Sequence, residues 1–174
     1  MSKIKIKNSK QKIADILLKI GCVNINFKNK FTLTSGKKSP VYVDCRKLIS
    51  FPKEREIVIN EMTKLIKSKY KKKVIVAGGE TAGIPYSSFI SHKLKMPMVY
   101  IRKQPKGFGK GKLIEGEYKK KSTSILIEDM ATDGGSKLHF INSLRKNTLS
   151  IKDIYVVFFY NIYPVAKKNL NKMR

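Results

Sequence analysis

Ser124-Ile125-Leu126-Ile127-Glu128-Asp129-Met130-Ala131-Thr132-Asp133-Gly134-Gly135-Ser136 is the stretch of this chain that decides its fold. Its apolar residues, Ile125 to Ile127, predict a buried strand. Two acids follow, and after them comes a loop of small and hydroxyl-bearing residues that opens a helix. Unpaired amide groups and the helix dipole favour an anion at such a helix N-terminus. The stretch therefore predicts a strand, a phosphate-binding loop and a helix, in that order.

The two acids, Glu128 and Asp129, restrict what the ligand can be. Carboxylates beside a phosphate loop repel phosphate, but they accept hydrogen bonds from hydroxyl groups. A phosphorylated sugar carries both kinds of group. The pattern alone leaves one alternative open, an ordinary strand-to-helix turn with solvated acids.

Two further segments begin where a predicted strand ends. Val74 to Ala77 is predicted as a buried strand that runs into Gly78-Gly79, and Met98 to Ile101 as a strand that runs into Arg102. Strands that alternate with helices form a parallel sheet with right-handed crossovers, and ligands bind beyond the carboxyl ends of its strands. The segments that start at Gly78, Arg102 and Glu128 are therefore expected to meet at one edge of the sheet.

The N-terminal third of the chain predicts smaller elements. A helix is expected through Ile13, Ile16, Leu17 and Ile20, with Gly21 ending it. Phe31 to Leu33 and Val41 to Val43 flank a turn-forming segment, which predicts a β-hairpin. Pro52 is expected in the first turn of the next helix. Arg102 to Gly116 is predicted as one long loop.

Together, four segments resemble the type I phosphoribosyltransferases and, among them, orotate phosphoribosyltransferase. In chain order they are Phe31–Asp44, Gly78–Pro85, Arg102–Gly109 and Glu128–Ser136. The resemblance implies an α/β fold with a central parallel sheet flanked by helices and a small N-terminal hood. It also implies transfer of the phosphoribosyl group from phosphoribosyl pyrophosphate (PRPP) to orotate in pyrimidine (UMP) biosynthesis. The products would be orotidine monophosphate and pyrophosphate.

The resemblance also assigns roles to individual residues. Lys103, Lys106 and Asp129 are implied as catalytic. The residues implied to bind PRPP are Arg102, Lys103, Lys106, Glu128, Asp129, Met130, Ala131, Thr132, Asp133, Gly134, Gly135 and Ser136. The pyrophosphate turn would be Gly78, Gly79, Glu80 and Thr81, and orotate would contact Thr132, Tyr42 and Val43.

Purely structural roles are the alternatives for several of these residues. Glu80 or Thr81 could cap the following helix, and Thr132 could cap the helix after the phosphate loop. Tyr42 could be a core tyrosine rather than a surface for a planar base. The chain also departs from the family pattern, with Thr34 where many members carry Lys and Phe108 where many carry His. The family's orotate-contacting Arg near the end of the domain has no counterpart, since residues 154–164 contain no Arg, and this leaves transfer to another base open. The net charge and Phe108 leave open a non-catalytic, PRPP- or nucleotide-sensing regulator that binds RNA.

Cofactor and partners follow from the same resemblance. Mg²⁺ is expected, held mainly by PRPP and water and by no dedicated set of protein ligands. A homodimer that shares the loop beginning at Arg102 is expected. The net charge of +26 comes almost wholly from lysine, because arginine occurs only at Arg46, Arg55, Arg102, Arg145 and Arg174. Specific nucleic-acid readers rely on arginine, so no specific nucleic-acid partner is predicted.

Length and composition indicate one domain, residues 1–174, with a helix and hood at 1–50 and a PRPP-binding core at 51–174. This core is expected to be short at its C-terminal end compared with the family. No apolar run is long enough to span a bilayer, and no secretory signal is present, so a cytoplasmic location is predicted. Cys22 and Cys45 are expected to be free thiols.

Overall fold

The computed structural model of the chain describes residues 2–33, 36, 38–105, 112–132 and 135–160. These residues fall into two compact units, Met1–Glu61 and Met62–Arg174. Helix α2, Pro52–Lys69, begins in the first unit and ends in the second. Within the described residues, no helix combines the length and the apolar character that crossing a membrane requires.

The first unit begins with helix α1, Ser2–Lys19, followed by strands β1 to β4 and a short 3-10 helix. The strands are Val23–Ile25, Phe31–Thr32, Lys38–Ser39 and Val41–Val43, and the 3-10 helix is Cys45–Ser50. Gly21 ends α1 as predicted, in a left-handed conformation with φ of 68°. Both cysteines are free and buried.

The predicted hairpin is wrong in its pairing. Phe31–Thr32 pairs with Lys38–Ser39, whereas Val41–Val43 pairs antiparallel with β1, with Val23 opposite Val43. The side chain of Ser39 explains the switch, because its Oγ accepts a hydrogen bond from the Val41 N–H and donates one to the Val41 carbonyl. This local turn separates β3 from β4 and directs them to different partners.

The second unit contains a five-stranded sheet in the order β7-β6-β5-β8-β9. Its strands, in chain order, are β5 Ile75–Gly79, β6 Met98–Ile101, β7 Ile114–Glu115, β8 Thr123–Ala131 and β9 Ser150–Phe159. All pairings are parallel except that of β7 with β6. The predicted α/β fold with a central parallel sheet is therefore confirmed.

Helices cover both faces of this sheet. Helix α3, Gly83–Leu94, packs on β5, β6 and β8. Helix α4, Gly135–Lys146, brings Phe140, Ile141 and Leu144 into a core with Ala77 and Leu126. Alternation along β5 directs Gly78 toward α3 and Gly79 toward α4, so this one strand contacts both helices.

Two predicted element boundaries change. Strand β8 continues to Ala131, so Glu128 and Asp129 lie on a strand and not in the loop after it. The cause is pairing with β9, which extends along β8 as far as Ala131 opposite Phe159. Strand β8 therefore continues beyond its apolar residues, Ile125 to Ile127. The predicted loop from Arg102 to Gly116 contains the short strand β7, whose Ile114 is buried in the core.

Candidate active site

Three segments meet at the carboxyl edge of the sheet, as predicted. They follow Gly79 at the end of β5, Ile101 at the end of β6 and Ala131 at the end of β8. The Glu80 N–H donates a hydrogen bond of 2.8 Å to the Ile101 carbonyl, which joins the first segment to the second. The edge therefore holds backbone and side-chain groups from distant parts of the sequence within hydrogen-bonding distance.

The turn after β5 is attached to the loop after β6 through the Glu80 side chain. Glu80 Oε2 accepts a hydrogen bond of 2.8 Å from the Lys103 N–H. The structural alternative, capping of α3 by Glu80 or Thr81, is excluded because the N-cap position is Ala82 and no side chain caps the helix. The Glu80 carboxylate instead binds an amide across the edge of the sheet.

The loop after β6, which begins at Arg102 and is called the basic loop below, is held at its start by two further contacts. The Arg102 N–H donates to the Leu113 carbonyl at 2.8 Å, on the returning part of the loop. The Arg102 carbonyl lies 3.4 Å from Nε2 of His139, on α4. Lys103 is exposed next to these contacts. Lys106 and Phe108 lie outside the described residues.

Glu128 is nearly buried and forms an ion pair. Its Oε2 lies 2.7 Å from Nζ of Lys137, and the two side chains are 6% and 8% exposed. Its Oε1 is buried and accepts no hydrogen bond within the described part of the chain. That oxygen lies against Gly79 and Gly83, where an added Cβ would come within 2.2 Å and 2.3 Å of it. The carboxylate therefore occupies the space that side chains at these two positions would need.

Burial and charge act in opposite directions on this carboxyl group. Burial raises the pKa of Glu128, and the neighbouring Asp129 adds to the increase. The Lys137 ammonium lowers the pKa, as does the nearby Gly79 N–H. The burial effect is the largest, so the pKa lies above its ordinary value even with the lysine in contact.

Asp129 and the residues after it lead from the strand into α4. Alternation along β8 directs the Asp129 side chain to the opposite face from that of Glu128, and Asp129 is 8% exposed.

The residues after Asp129 differ in exposure. Ala131 is buried, Met130 and Thr132 are half-buried, and Gly135 is exposed at the first position of α4. Asp133 and Gly134 lie outside the described residues. Ser136 lies in the first turn of α4.

The residues predicted to contact orotate from the N-terminal region lie on β4. The Tyr42 ring packs against Phe31 with ring centroids 5.6 Å apart. Nη2 of Arg46 donates to the Tyr42 hydroxyl at 3.5 Å, and Val43 is buried. Both residues thus have structural contacts within their own unit, and their contact with orotate stays a prediction. Thr34 and Ser35 lie outside the described residues.

Sequence reasoning missed three residues of this site, namely Lys137, Gly83 and His139. A signal for Lys137 was present. It lies in the first turn of α4, where the helix dipole disfavours a cation and no acid in that turn offsets it. A lysine at such a position indicates an anionic partner nearby. His139 and Gly83 had no comparable local signal, because their roles depend on contacts with distant strands.

Similarity to known proteins agrees with this geometry. The chain is 43% identical over 159 residues to an orotate phosphoribosyltransferase of Ruegeria sp. (strain TM1040), covering 90% of this chain and 70% of that protein. The UMP synthase structure of Leishmania donovani matches with a TM-score of 0.77 and 34% identity, covering 92% of this chain and 33% of that one. The orotate phosphoribosyltransferase structure of Aeropyrum pernix matches with a TM-score of 0.76 and 25% identity, covering 92% and 88%. Comparison with models of known protein families found no match.

The parallel sheet, its flanking helices and the acidic strand before α4 define a type I phosphoribosyltransferase, an enzyme class that transfers phosphorylated ribose. Within that class, the family is decided by the 43% sequence identity to an orotate phosphoribosyltransferase over 90% of the chain. The chain belongs to the orotate phosphoribosyltransferase family.

Proposed function

We propose that this protein transfers the phosphoribosyl group of PRPP to orotate, giving orotidine monophosphate and pyrophosphate in the synthesis of UMP. The observation that supports this most strongly is the 43% identity to a protein named orotate phosphoribosyltransferase across 90% of the chain. A regulator without turnover would not need three segments joined at one edge around two carboxylates and a basic loop. Two of the relatives reported above are named for transfer to orotate, which favours orotate over a different base.

Displacement at the anomeric carbon develops charge in two places. The ribose ring becomes positive, as in glycoside cleavage, and the departing pyrophosphate becomes more negative. Asp129 would favour the cationic ring and accept hydrogen bonds from its hydroxyls. Glu128, which is paired with Lys137, would border the sugar without adding net negative charge. Arg102, Lys103 and Lys106 would balance the pyrophosphate charge. The acids lie near the carboxyl end of β8 and the basic residues follow that of β6, with β5 between the two strands. Opposite charges would therefore act on opposite sides of the bond that breaks.

The phosphate of the sugar would bind at the start of α4. Ala131, Thr132 and Gly135 lie on the path from β8 into this helix. The N-terminus of a helix favours an anion through its backbone amides and its dipole. The glycine turn after β5 would receive the pyrophosphate, because Gly78 and Gly79 let the backbone approach an anion closely. Thr132 would contact orotate from the same loop.

Mg²⁺ would enter this site as part of the substrate complex. PRPP oxygens and water would supply most of its ligands, as is usual for Mg²⁺ on phosphates. Bound there, the ion would reduce the negative charge on the leaving pyrophosphate.

A homodimer that shares the basic loop is the assembly we propose for turnover. A neighbouring subunit would bring Lys103 and Lys106 over the site and exclude water as the loop closes. Light scattering coupled to gel filtration tests the assembly directly. A monomer that is fully active would contradict the shared loop.

The test of function follows the ultraviolet absorbance of orotate in the presence of PRPP and Mg²⁺. The wild type is expected to consume orotate only when PRPP is present. Lys103→Ala is expected to reduce the rate about a hundredfold, because a cation near the leaving group is lost. Lys120→Ala, an exposed lysine before β8, removes the same charge elsewhere and serves as the matched control.

Two results would contradict the proposal. One is orotate loss that does not need PRPP. The other is a folded wild type that binds PRPP in calorimetry but leaves orotate unchanged, with turnover of another base in its place.

A further inference from the structure

The cation in the first turn of α4 requires an explanation that the phosphate loop alone does not provide. A helix N-terminus that binds phosphate already carries a partial positive charge, and residues there are usually acidic or neutral. Lys137 is buried at this position, and its ammonium points to the strand and not to solvent. It forms an ion pair with Glu128 at 2.7 Å.

Glu128 in turn is held from several sides. Gly79 and Gly83 lie against its Oε1, and the Lys137 ammonium pairs with its Oε2. The charged groups that act on it are Lys137 from α4 and Asp129 from its own strand, while β5 and α3 present glycines to it. The carboxylate is therefore immobilised, and its charge is balanced by one cation.

This pairing resolves a conflict within the proposed site. A phosphate at the start of α4 and a pyrophosphate at the Gly78-Gly79 turn would both lie near two carboxylates on β8. Like charges in a poorly solvated site repel strongly. Lys137 cancels one of the two carboxylates without occupying the surface that the substrate needs, because it reaches Glu128 from the α4 side.

We propose that Lys137 is a positioning residue for PRPP: it fixes the Glu128 carboxylate at the end of β8 and cancels its charge, so that the phosphorylated sugar can bind beside it. The inference rests on the proposed function in that PRPP is the substrate. It adds a residue outside the four segments that define the resemblance.

The decisive experiment measures PRPP binding by calorimetry, without orotate, in excess MgCl₂ at neutral and at mildly alkaline pH. Lys137→Met keeps the length of the side chain and removes the charge. We expect it to weaken PRPP binding about tenfold or more, equivalent to about 1.4 kcal/mol. Lys137 lowers the pKa of Glu128, so its removal shifts ionisation of this carboxyl group to higher pH. The loss of binding should therefore be larger at the higher of the two pH values, where more of the unpaired carboxyl group is ionised and repels the phosphates.

Two further variants separate charge balance from folding. Glu128→Gln combined with Lys137→Met removes both charges and keeps an oxygen that can accept from a sugar hydroxyl. We expect this double variant to bind PRPP at least about threefold more tightly than Lys137→Met alone, with no added pH dependence. Lys120→Met is the matched control on the surface, and Lys137→Arg is expected to retain binding. Circular dichroism confirms that each variant is folded.

Several results would overturn the inference. One is Lys137→Met binding PRPP like the wild type at both pH values while only its unfolding temperature falls. Another is a double variant as impaired as the single one. Failure of the proposed function looks different, since the wild type would then bind PRPP without consuming orotate and the binding pattern of the variants would still hold. A wild type that does not bind PRPP would overturn both.

Discussion

At the scale of single residues, the site depends on positions where no side chain fits. A Cβ added at Gly83 would lie 2.6 Å from the Ile127 carbonyl oxygen and 2.3 Å from Glu128 Oε1. At Gly78 it would lie 2.7 Å from the Gly83 carbonyl oxygen. Because these neighbours include backbone atoms of a buried strand and a helix start, they have little freedom to move. These glycines bring β5, β8 and α3 close enough to enclose the Glu128 carboxylate.

Gly83→Ala is expected to lower the free energy of unfolding by about 1–3 kcal/mol, the usual cost of overpacking a core. It should also weaken PRPP binding, since Glu128 must move. Urea denaturation monitored by circular dichroism provides the measurement. Ser88→Ala, at an exposed position of the same helix, is the control and should change stability little. Equal stability of Gly83→Ala and wild type would show that the backbone can yield at this contact.

Ionisation of Tyr155 lowers the stability of the folded protein at alkaline pH. Burial first, and the Asp153 charge second, raise the pKa of Tyr155 from 10.0 to about 12. The unfolded chain releases this proton near its ordinary value, whereas the folded chain holds it until about pH 12. The contribution to stability is therefore complete below pH 10.0 and is lost as the pH rises to about 12.

Tyr155→Phe is expected to reduce the fall in the free energy of unfolding across this alkaline range, because the titrating group is absent. Denaturant titrations at a series of alkaline pH values test this. Asp153→Asn should reduce the fall in the same direction, since it removes the charge that adds to the pKa shift. The expectation would be wrong if the free energy of unfolding of the wild type and of Tyr155→Phe changed with pH in parallel throughout this range.

At the scale of elements, the contacts at the carboxyl edge hold loops to strands. Glu80 Oε2 binds the Lys103 N–H, the Glu80 N–H binds the Ile101 carbonyl, and His139 lies near the Arg102 carbonyl. The beginning of the basic loop is therefore attached to β5, β6 and α4 together.

Glu80→Ala is expected to release the base of this loop. Losing one hydrogen bond of about 1 kcal/mol should speed hydrogen exchange at the Lys103 amide and weaken PRPP binding about three- to tenfold. Glu80→Gln keeps an acceptor oxygen and should retain most of the binding, which separates the hydrogen bond from the charge. Glu117→Ala, at an exposed loop position, controls for loss of an acid. Unchanged exchange at Lys103 in Glu80→Ala would exclude the attachment.

At the scale of the whole molecule, charge imbalance is the dominant feature. The chain carries 38 basic and 12 acidic residues, for a net charge of +26. Such an excess repels itself in the folded state, and salt screens the repulsion. The same field would attract anionic substrates and would also favour weak, salt-sensitive adhesion to nucleic acid.

The unfolding temperature is therefore expected to rise as NaCl is increased from low to moderate concentration. Differential scanning calorimetry in a buffer of low ionic strength provides the measurement, and an equal osmolality of an uncharged solute provides the control. An unfolding temperature that stays constant or falls with NaCl would show that opposite charges are already well paired in the folded protein.

The sequence by itself determined the type and order of the longer strands and helices, since hydrophobic periodicity and turn residues report local burial directly. It placed the strands before Gly78 and Arg102, and it located the acids beside the phosphate loop. Only the tertiary structure decided which strands pair, as in β1 with β4, and how far β8 continues through Glu128 to Ala131. It also decided the pairing of Glu128 with Lys137 and of Glu80 with the Lys103 amide. These outcomes depend on partners distant in sequence, and local patterns carry no information about which partner a group will meet.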